Sequence, residues 1–286
     1  MAKIEPVVSA MEKEQALKIT DLSIQFGGLK AVEALSFHVN KNEIFGLIGP
    51  NGAGKTTAFN CITQFYRPNR GEVLFRTKKC TEKEPEGEVV NLVGRNVHDI
   101  IKLGLVRTFQ NVEVIKELTL LDNVLIGAHI DFKATAFEQA LRLPRARREE
   151  KAMREKAVEA LKFMGIDHLK DAQAAGQPYG VLKKVEMART LMAEPKLIIL
   201  DEPAAGLNDS ETADLAETIR RIRDAYDCTI LLVEHDMRLV MNICDRICAI
   251  SFGKFLACGT PAEIQANKDV QEAYLGEKDE SGEEEQ

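Results

Sequence analysis

The sequence contains no apolar run that approaches the ~18–20 residues needed to span a bilayer. Its opening stretch, MAKIEPVVSAMEKEQ, is too polar for a secretory signal. We therefore expect a cytosolic chain that could still dock on a membrane protein. Internal repeats are also absent, and 286 residues are enough for one large domain or two modest ones.

The sequence also lacks a broad basic stretch, which argues against nucleic acid as a partner. The formal net charge is −7, and residues 277–286 hold six acids and one lysine, so most of the imbalance lies in this acidic tail. The one basic cluster, RLPRARREEK (142–151), is followed at once by acids. We interpret it as the start of a solvated helix, with contact to a membrane surface as the weaker alternative.

No CxxC pair occurs among the cysteines, and their spacings do not predict a metal site. Without a secretory signal, we expect reduced thiols, mostly buried, because four of them lie among apolar neighbours between residues 228 and 258. The six are Cys61, Cys80, Cys228, Cys244, Cys248 and Cys258.

What is present is a pattern of strands and helices. Residues 19–26 and 34–39 alternate apolar and polar side chains, as half-buried strands do, whereas EIFGLIG (43–49) is a continuous apolar run typical of a buried strand. Further buried strands are predicted at 197–200, 229–233 and 247–251. Because helical segments separate these strands, we predict a parallel α/β core with a helical insertion of roughly 70–80 residues.

Several helices are predicted from apolar residues that recur at helical spacing. The first follows the glycine-rich loop and extends from Phe59 through Ile62 to Tyr66, before Pro68. A later helix should be capped by Asp209 or Ser210. The remaining inward-facing residues are predicted to be Met153, Ala157, Ala160, Leu161 and Met164, then Val185, Ala188 and Leu191, and finally Leu215, Ile219 and Ile222.

The segment GPNGAGKTT fits the pattern G-x-x-x-x-G-K-[ST], and it lies between a predicted buried strand and a helix, as the pattern requires. Glycines let backbone N–H groups curl around phosphate oxygens, and the helix N-terminus favours negative charge. Lys55 should reach the β- and γ-phosphates, and the Thr56 hydroxyl should ligate Mg²⁺. We therefore predict that this segment binds the phosphates of a nucleoside triphosphate.

Two further strand ends carry polar residues. In LIILDEP, Asp201 could hold Mg²⁺ through water and Glu202 could polarise the attacking water. In LLVEH, His235 follows the next strand and could donate a hydrogen bond to the γ-phosphate. Ligands bind at this edge of an open α/β sheet, so we expect these groups to meet the loop that carries Lys55.

With these motifs in place, the sequence resembles the ABC-type ATPases, and most closely those that power branched-chain amino acid import in bacteria. The resemblance covers about residues 17–276 and rests on FGGLKAV, GLIGPNGAGKTTAFNCIT, LVRTFQN, LDEPAAGLN, ILLVEHDMRLVM and AYLGE. It implies a P-loop NTPase (RecA-like) core at about 17–110 and 190–276, with an antiparallel β subdomain. It also implies a helical ABC subdomain at about 112–189, with residues 1–16 an N-terminal extension and 277–286 an acidic tail.

The resemblance also implies roles for individual residues. Gln110 senses Mg²⁺ and the attacking water, Glu202 is the catalytic glutamate and His235 the switch histidine. Phe26 stacks on adenine, with a core strand residue as the alternative reading. Mg²⁺ is held by Thr56, Gln110 and Asp201. The residues implied to contact the nucleotide are Phe26, Gly49, Asn51, Gly52, Ala53, Gly54, Lys55, Thr56 and Thr57.

Members of the family pair two ATPase domains head to tail, and the signature segment of one closes on the nucleotide of the other. Here that segment is GQPYGV, in which Pro178, Tyr179 and Gly180 would face the partner's nucleotide. Pro178 takes the position of a serine and Val181 that of a glutamine, so one hydroxyl donor and one backbone N–H are missing. Proline suits the first turn of a helix, and we expect a tolerated variant.

AAGLN (204–208) matches the loop that crosses to the partner ATPase, with Asn208 where many relatives have aspartate. The implied partners are a second ABC ATPase subunit, more readily a different chain than a copy, and two transmembrane permease subunits. An extracytoplasmic substrate-binding protein would act indirectly, and the chain would lie on the cytoplasmic face of the bacterial inner membrane. The alternatives are the ATPase of a lipid or lipopolysaccharide exporter, a catalytically weak regulatory module, and an ABC protein of translation or DNA repair.

Overall fold

The computed structural model describes residues 11–78, 87–108, 113–131 and 143–280. Within these ranges the chain forms a four-stranded antiparallel sheet and a six-stranded sheet that is parallel except at one edge. The predicted parallel α/β core is therefore confirmed. None of the helices in the described ranges combines the length and the apolar character that crossing a bilayer requires.

The strands, numbered along the chain, are β1 (Gln15–Phe26), β2 (Leu29–Asn40), β3 (Ile44–Ile48), β4 (Arg70–Arg76), β5 (Val89–Asn91), β6 (Leu105–Arg107), β7 (Leu197–Asp201), β8 (Thr229–Val233), β9 (Arg246–Ser251) and β10 (Lys254–Gly259). The antiparallel sheet has the order β2-β1-β4-β5, and the large sheet has the order β10-β9-β3-β8-β7-β6. Strands β3, β8 and β7, whose ends carry the predicted site, are thus direct neighbours.

The helices are α1 (Lys55–Ile62), α2 (Val97–Leu103), α3 (Leu120–Leu125), α4 (Pro144–Phe163), α5 (Tyr179–Leu191), α6 (Asp209–Tyr226), α7 (Met237–Ile243), α8 (Pro261–Ala266) and α9 (Lys268–Glu280). Short 3-10 helices occur at Ile126–Asp131 and Asp167–Leu169. Helices α3, α4 and α5 pack on one another, and the inward-facing residues predicted for α4, α5 and α6 are buried or lie against the core.

The large sheet is covered on both faces, which explains why its strands read as continuous apolar runs. All five residues of β3 are buried. Ile44 and Ile48 belong to the core on the helical face, whereas Phe45 and Leu47 belong to the core shared with the antiparallel sheet. This alternation follows from the two-residue period of a strand. The strand that leads into the glycine-rich loop is therefore fixed from both sides.

Two local predictions were wrong at helix ends. Helix α1 ends at Ile62 with Thr63 as its C-cap, so Tyr66 lies beyond it and is exposed. The N-cap of α6 is Asn208, whose side chain accepts a hydrogen bond from the Glu211 N–H, whereas Asp209 and Ser210 already lie inside the helix. Because the Glu211 carboxylate in turn accepts a hydrogen bond from the Asn208 N–H, a complete capping box forms one residue earlier than predicted.

Candidate functional site

The three polar strand ends lie side by side. Leu47 of β3 and Asp201 of β7 are both register partners of Val233 in β8, because β8 lies between the other two strands. The loop after β3 leads to Lys55. Strand β7 ends at Asp201 and is followed by Glu202, and His235 lies two residues beyond the end of β8. The structure thus brings one cation, two carboxylates and one imidazole to a single edge of the sheet.

The loop between β3 and α1 depends on glycine at two crowded positions. A Cβ atom at Gly49 would lie 2.3 Å from the Ile250 carbonyl oxygen, and one at Gly54 would lie 2.4 Å from the Ala31 carbonyl oxygen. Gly54 also has φ +94°, in the left-handed region that glycine tolerates best. The loop therefore needs these glycines both for its turn and for its contact with β9 and β2.

The N-terminus of α1 opens towards solvent at this edge. Asn51, Gly52 and Thr56 are exposed, whereas Ala53 and the Lys55 side chain are buried. Lys55 Nζ donates to the carbonyl oxygens of Gly49 and Pro50, at 2.5 and 2.8 Å, so the ammonium group lies inside the loop. A helix N-terminus with a cation beside it is an arrangement that attracts phosphate.

Glu202 and His235 are in direct contact. His235 Nε2 lies 2.9 Å from Glu202 Oε1. Glu202 adopts φ +46°, a conformation that non-glycine residues rarely take, while its backbone N–H donates to the Val233 carbonyl oxygen of β8. Strain of this kind persists where the surrounding structure enforces it, and it is concentrated at functional sites. The geometry holds the carboxylate beside the imidazole at the strand ends.

Asp201 is held by an arginine that the sequence reading missed. Arg107 Nη2 donates to Asp201 Oδ2 at 2.6 Å, and Nη1 donates to Asn60 Oδ1 at 2.6 Å. Both charged side chains are less than one-tenth exposed. Arg107 therefore links β6, β7 and α1 beneath the loop. The LVRTFQN motif contains it, but its partners lie far away along the sequence.

Glu234 is a second missed residue. It is buried, its Oε1 accepts from the Ala204 N–H at 2.6 Å, and its Oε2 accepts from the His235 N–H at 3.0 Å. Burial raises the pKa of Glu234, while these hydrogen bonds from backbone N–H groups oppose the rise. Glu234 thus fastens the segment after Glu202 to the segment that carries His235. Its signal in the sequence was an acid following an apolar strand, the same signal that singled out Asp201.

The predicted signature segment starts a helix as expected. Pro178 is the N-cap of α5, with ψ 148°, and Tyr179 is the first helical residue. The helix lacks a side-chain cap, since proline has no side-chain acceptor. An added Cβ at Gly180 would lie 3.1 Å from Glu211 Oε1, so the start of α5 packs closely on the first turn of α6.

Phe26 is the residue predicted to stack on adenine. Phe26 ends β1 with 46% of its surface exposed and contacts Tyr66 edge to face, at 5.3 Å between ring centroids. The alternative of a core strand residue is therefore wrong, and an exposed aromatic ring remains available for stacking. Gln110 lies outside the described residues.

The oxygen atoms at the edge suit a hard divalent cation. Mg²⁺ prefers hydroxyl, carboxylate, water and phosphate oxygens over a dedicated cage of protein ligands. Thr56 supplies a hydroxyl at the start of α1, and Asp201 has a second carboxylate oxygen beside the one that Arg107 holds. In the described part of the chain, no group of three or more His, Cys, Asp and Glu residues could itself hold a metal. The residues fit a Mg²⁺ ion that arrives with a nucleotide.

Comparisons with known proteins agree with this geometry. The model of the "ABC transporter" family matches residues 32–205, and that of the "Branched-chain amino acid ATP-binding cassette transporter" matches residues 256–280. The chain is 42% identical to the high-affinity branched-chain amino acid transport ATP-binding protein LivG of Salmonella typhimurium, over 91% of this chain and 98% of the relative. It is 40% identical to the corresponding BraF of Pseudomonas aeruginosa, over 91% and 98%.

The fold also matches a solved structure. The crystal structure of the ADP conformation of MJ1267, described as an ATP-binding cassette of an ABC transporter, superimposes with a TM-score of 0.76 at 31% identity. The match covers 92% of this chain and 99% of that one. The arrangement of the sheets and helices therefore agrees with that of a solved cassette over almost the whole length.

Proposed function

The chain belongs to the ABC transporter family, and from this premise we propose that it is the ATP-hydrolysing subunit of a branched-chain amino acid importer. ABC ATP-binding proteins are ATPases, and the relatives named above are transport ATP-binding proteins. The names of these relatives, together with the match at residues 256–280, favour the importer over a lipid or lipopolysaccharide exporter. The observation that carries the proposal is the contact between Glu202 and His235 beside the Lys55 loop.

In this proposal the loop after β3 and the N-terminus of α1 hold the phosphates of ATP. Backbone N–H groups from Gly52 to Thr57 donate hydrogen bonds to the β- and γ-phosphates, at the positive end of the helix dipole. The Lys55 ammonium exchanges its carbonyl partners in the loop for phosphate oxygens, which carry more negative charge. Phe26 offers an exposed ring to the adenine base.

We assign the magnesium ion to Thr56 and Asp201, with Gln110 added by the family resemblance. When bound, Mg²⁺ would neutralise negative charge that develops on the phosphate oxygens. Arg107 fixes the orientation of Asp201 by holding one carboxylate oxygen. The second carboxylate oxygen of Asp201 would hold the ion through a water molecule.

Glu202 is the proposed base of hydrolysis. Its carboxylate orients a water molecule for in-line attack on the γ-phosphorus and accepts the proton as the bond to the β-phosphate oxygen breaks. His235 contacts Glu202 Oε1, and in this proposal its imidazole turns towards the γ-phosphate. The imidazole therefore positions the base and donates a hydrogen bond to the departing phosphate oxygens.

The proposed working unit contains two ATPase subunits. Pro178, Tyr179 and Gly180 at the start of α5 close on the nucleotide of the partner, which we infer to be a related but different chain. Two permease subunits bind the ATPases on the cytoplasmic face of the membrane, and an extracytoplasmic binding protein delivers the amino acid. The division into a core and a helical subdomain at about 112–189 belongs to the same proposal.

Mutation of the proposed base tests the catalytic part. Glu202→Gln should keep Mg-ATP affinity within about threefold and lower turnover by about 10²–10⁴-fold, the usual contribution of a general base. Glu217→Gln, an exposed glutamate on α6, is the matched control and should change neither quantity. Wild-type protein that binds Mg-ATP but hydrolyses it no faster than Glu202→Gln would refute the catalytic assignment.

Reconstitution tests the transport part. The chain should be purified with its partner ATPase and permeases and placed in proteoliposomes with the binding protein. Leucine, isoleucine or valine should then stimulate ATP hydrolysis, and lipid or lipopolysaccharide should not. Stimulation by lipid alone would identify an exporter instead.

A further inference from the structure

Two of the cysteines face each other across the hairpin of β9 and β10. Cys248 and Cys258 are direct partners in the antiparallel register. The Cα atoms of such partners are about 4.5–5.5 Å apart and their side chains share one face of the sheet. A disulfide bond needs Cα atoms about 4.4–6.8 Å apart, so the hairpin already has the required spacing.

The two thiols have unequal surroundings. Cys248 is buried in the core between the two sheets. Cys258 lies on the edge strand β10 and is partly exposed. Reagents from solvent therefore reach Cys258 first, with Cys248 directly behind it.

A cation lies next to the exposed member of the pair. Arg246 Nη2 contacts Cys258 Sγ at 3.5 Å. The guanidinium is held there by Glu43, whose Oε1 lies 3.2 Å from Arg246 Nη1, and by the ring of Phe45, at 5.4 Å from its centroid. A positive charge beside a sulfur atom stabilises the thiolate, which is the reactive form.

The ionisation of the two thiols follows from these contacts. A hydrogen bond from Cys248 and the charge of Arg246 lower the pKa of Cys258 to about 6, against burial and the nearby Glu43 carboxylate. The same hydrogen bond and burial raise the pKa of Cys248 well above its ordinary value. Burial also raises the pKa of Cys61 to about 11 and that of Cys228 to about 12. Among the described cysteines, Cys258 thus carries the thiolate at neutral pH.

We propose that Cys258 is a modification site for hydroperoxides and that Cys248 resolves the oxidised thiol into a reversible cross-strand disulfide. The Cys258 thiolate attacks the terminal oxygen of the hydroperoxide and the O–O bond breaks. The released hydroxide or alkoxide takes a proton from solvent and becomes water or an alcohol. Cys258 is thereby oxidised to a sulfenic acid while the peroxide is reduced. The Cys248 sulfur then attacks the Cys258 sulfur, and the S–O bond breaks. The hydroxyl leaves as water with the Cys248 proton.

Peptide mapping of the whole protein tests the disulfide directly. Trypsin cleaves after Arg246, Lys254 and Lys268, so Cys248 and Cys258 fall on separate peptides, 247–254 and 255–268. After mild hydrogen peroxide treatment we expect these peptides to be linked, two hydrogen atoms lighter than their sum, and separated again by dithiothreitol. Cys248→Ser should stop the reaction at the sulfenic acid, which dimedone traps on peptide 255–268.

A second measurement keeps the test independent of folding in the variants. In the wild-type protein, the rate of alkylation of Cys258 by iodoacetamide should rise with a midpoint near pH 6, and Cys228 should stay unmodified. In Cys248→Ala the midpoint should move to higher pH, because the hydrogen bond that Cys248 donates is lost. Alkylation of Cys258 with the profile of an ordinary thiol, or peroxide treatment that leaves both peptides unlinked, would overturn the proposal.

Discussion

The buried contact between Arg107 and Asp201 supports a quantitative prediction about the stability of the site. Replacing Arg107 by methionine keeps much of the side-chain volume and removes the guanidinium. Asp201, which is only 6% exposed, then keeps a buried charge without its partner. Removal of one member of a buried ion pair costs about 3–5 kcal/mol. We expect that loss in the free energy of unfolding, and a decrease of about 10 °C in Tm.

A double-mutant cycle separates the ion pair from the packing around it. Asp201→Asn alone should also destabilise the protein, since it leaves the arginine charge buried. The double variant Arg107→Met with Asp201→Asn contains neither charge, and its loss should be smaller than the sum of the single losses by about 2 kcal/mol, within the range seen for residues in contact. Urea unfolding without nucleotide or Mg²⁺ measures all four proteins.

The matched control is Arg95→Met, because Arg95 is exposed and donates to the carbonyl oxygen of Asn91, four residues earlier in the chain. Its effect should be within about 0.5 kcal/mol. If the two site mutations are additive within about 0.5 kcal/mol, the contact does not couple the residues. The claim that the Arg107 contacts between β6, β7 and α1 stabilise the protein would then be refuted.

Three further predictions concern the loop, the cap and the signature. Gly49→Ala should lower Mg-ATP affinity at least tenfold in calorimetry, because the added Cβ would lie 2.3 Å from a backbone oxygen of β9, whereas Gly28→Ala has open space and should have no effect. Asn208→Ala should cost about 1 kcal/mol in urea unfolding by removing the N-cap of α6, and Asn208→Asp should keep the stability. Pro178→Ser with Val181→Gln should strengthen closure on the partner's nucleotide by about 1.5–3 kcal/mol and raise turnover of the reconstituted complex about tenfold. Unchanged turnover would exclude a signature weakened by these two residues.

Local patterns in the sequence were sufficient for most of the fold and for the placement of the three strand ends. Continuous apolar runs predicted β3, β7 and β8 because both faces of a parallel sheet are covered. The order of motifs along these strands then predicted one shared edge, since parallel neighbours end on the same side. The strand β10 was not predicted, because it packs at an edge where its residues are only partly buried.

The contacts that support the site could not be predicted from such patterns. Arg107 and Asp201 are 94 residues apart, and Glu234 reaches back 30 residues to Ala204. Both contacts exist only after the strands have been placed beside one another, so neither leaves a periodic signal. The error at α6 has a different cause. Asn208, Asp209 and Ser210 are all good capping residues, and only the backbone conformation decides that Asn208 takes the cap.

These supporting contacts connect two regions of the proposed site within one chain, the strand end that carries His235 and the start of α5. Glu234 accepts hydrogen bonds from the Ala204 N–H and the His235 N–H, so it ties the start of segment 204–208 to the strand end that carries His235, the proposed switch histidine. A Cβ at Gly206 in that segment would lie 3.5 Å from the Tyr179 ring at the start of α5. A shift of segment 204–208 would therefore reach the start of α5, which we propose faces the nucleotide of the partner subunit.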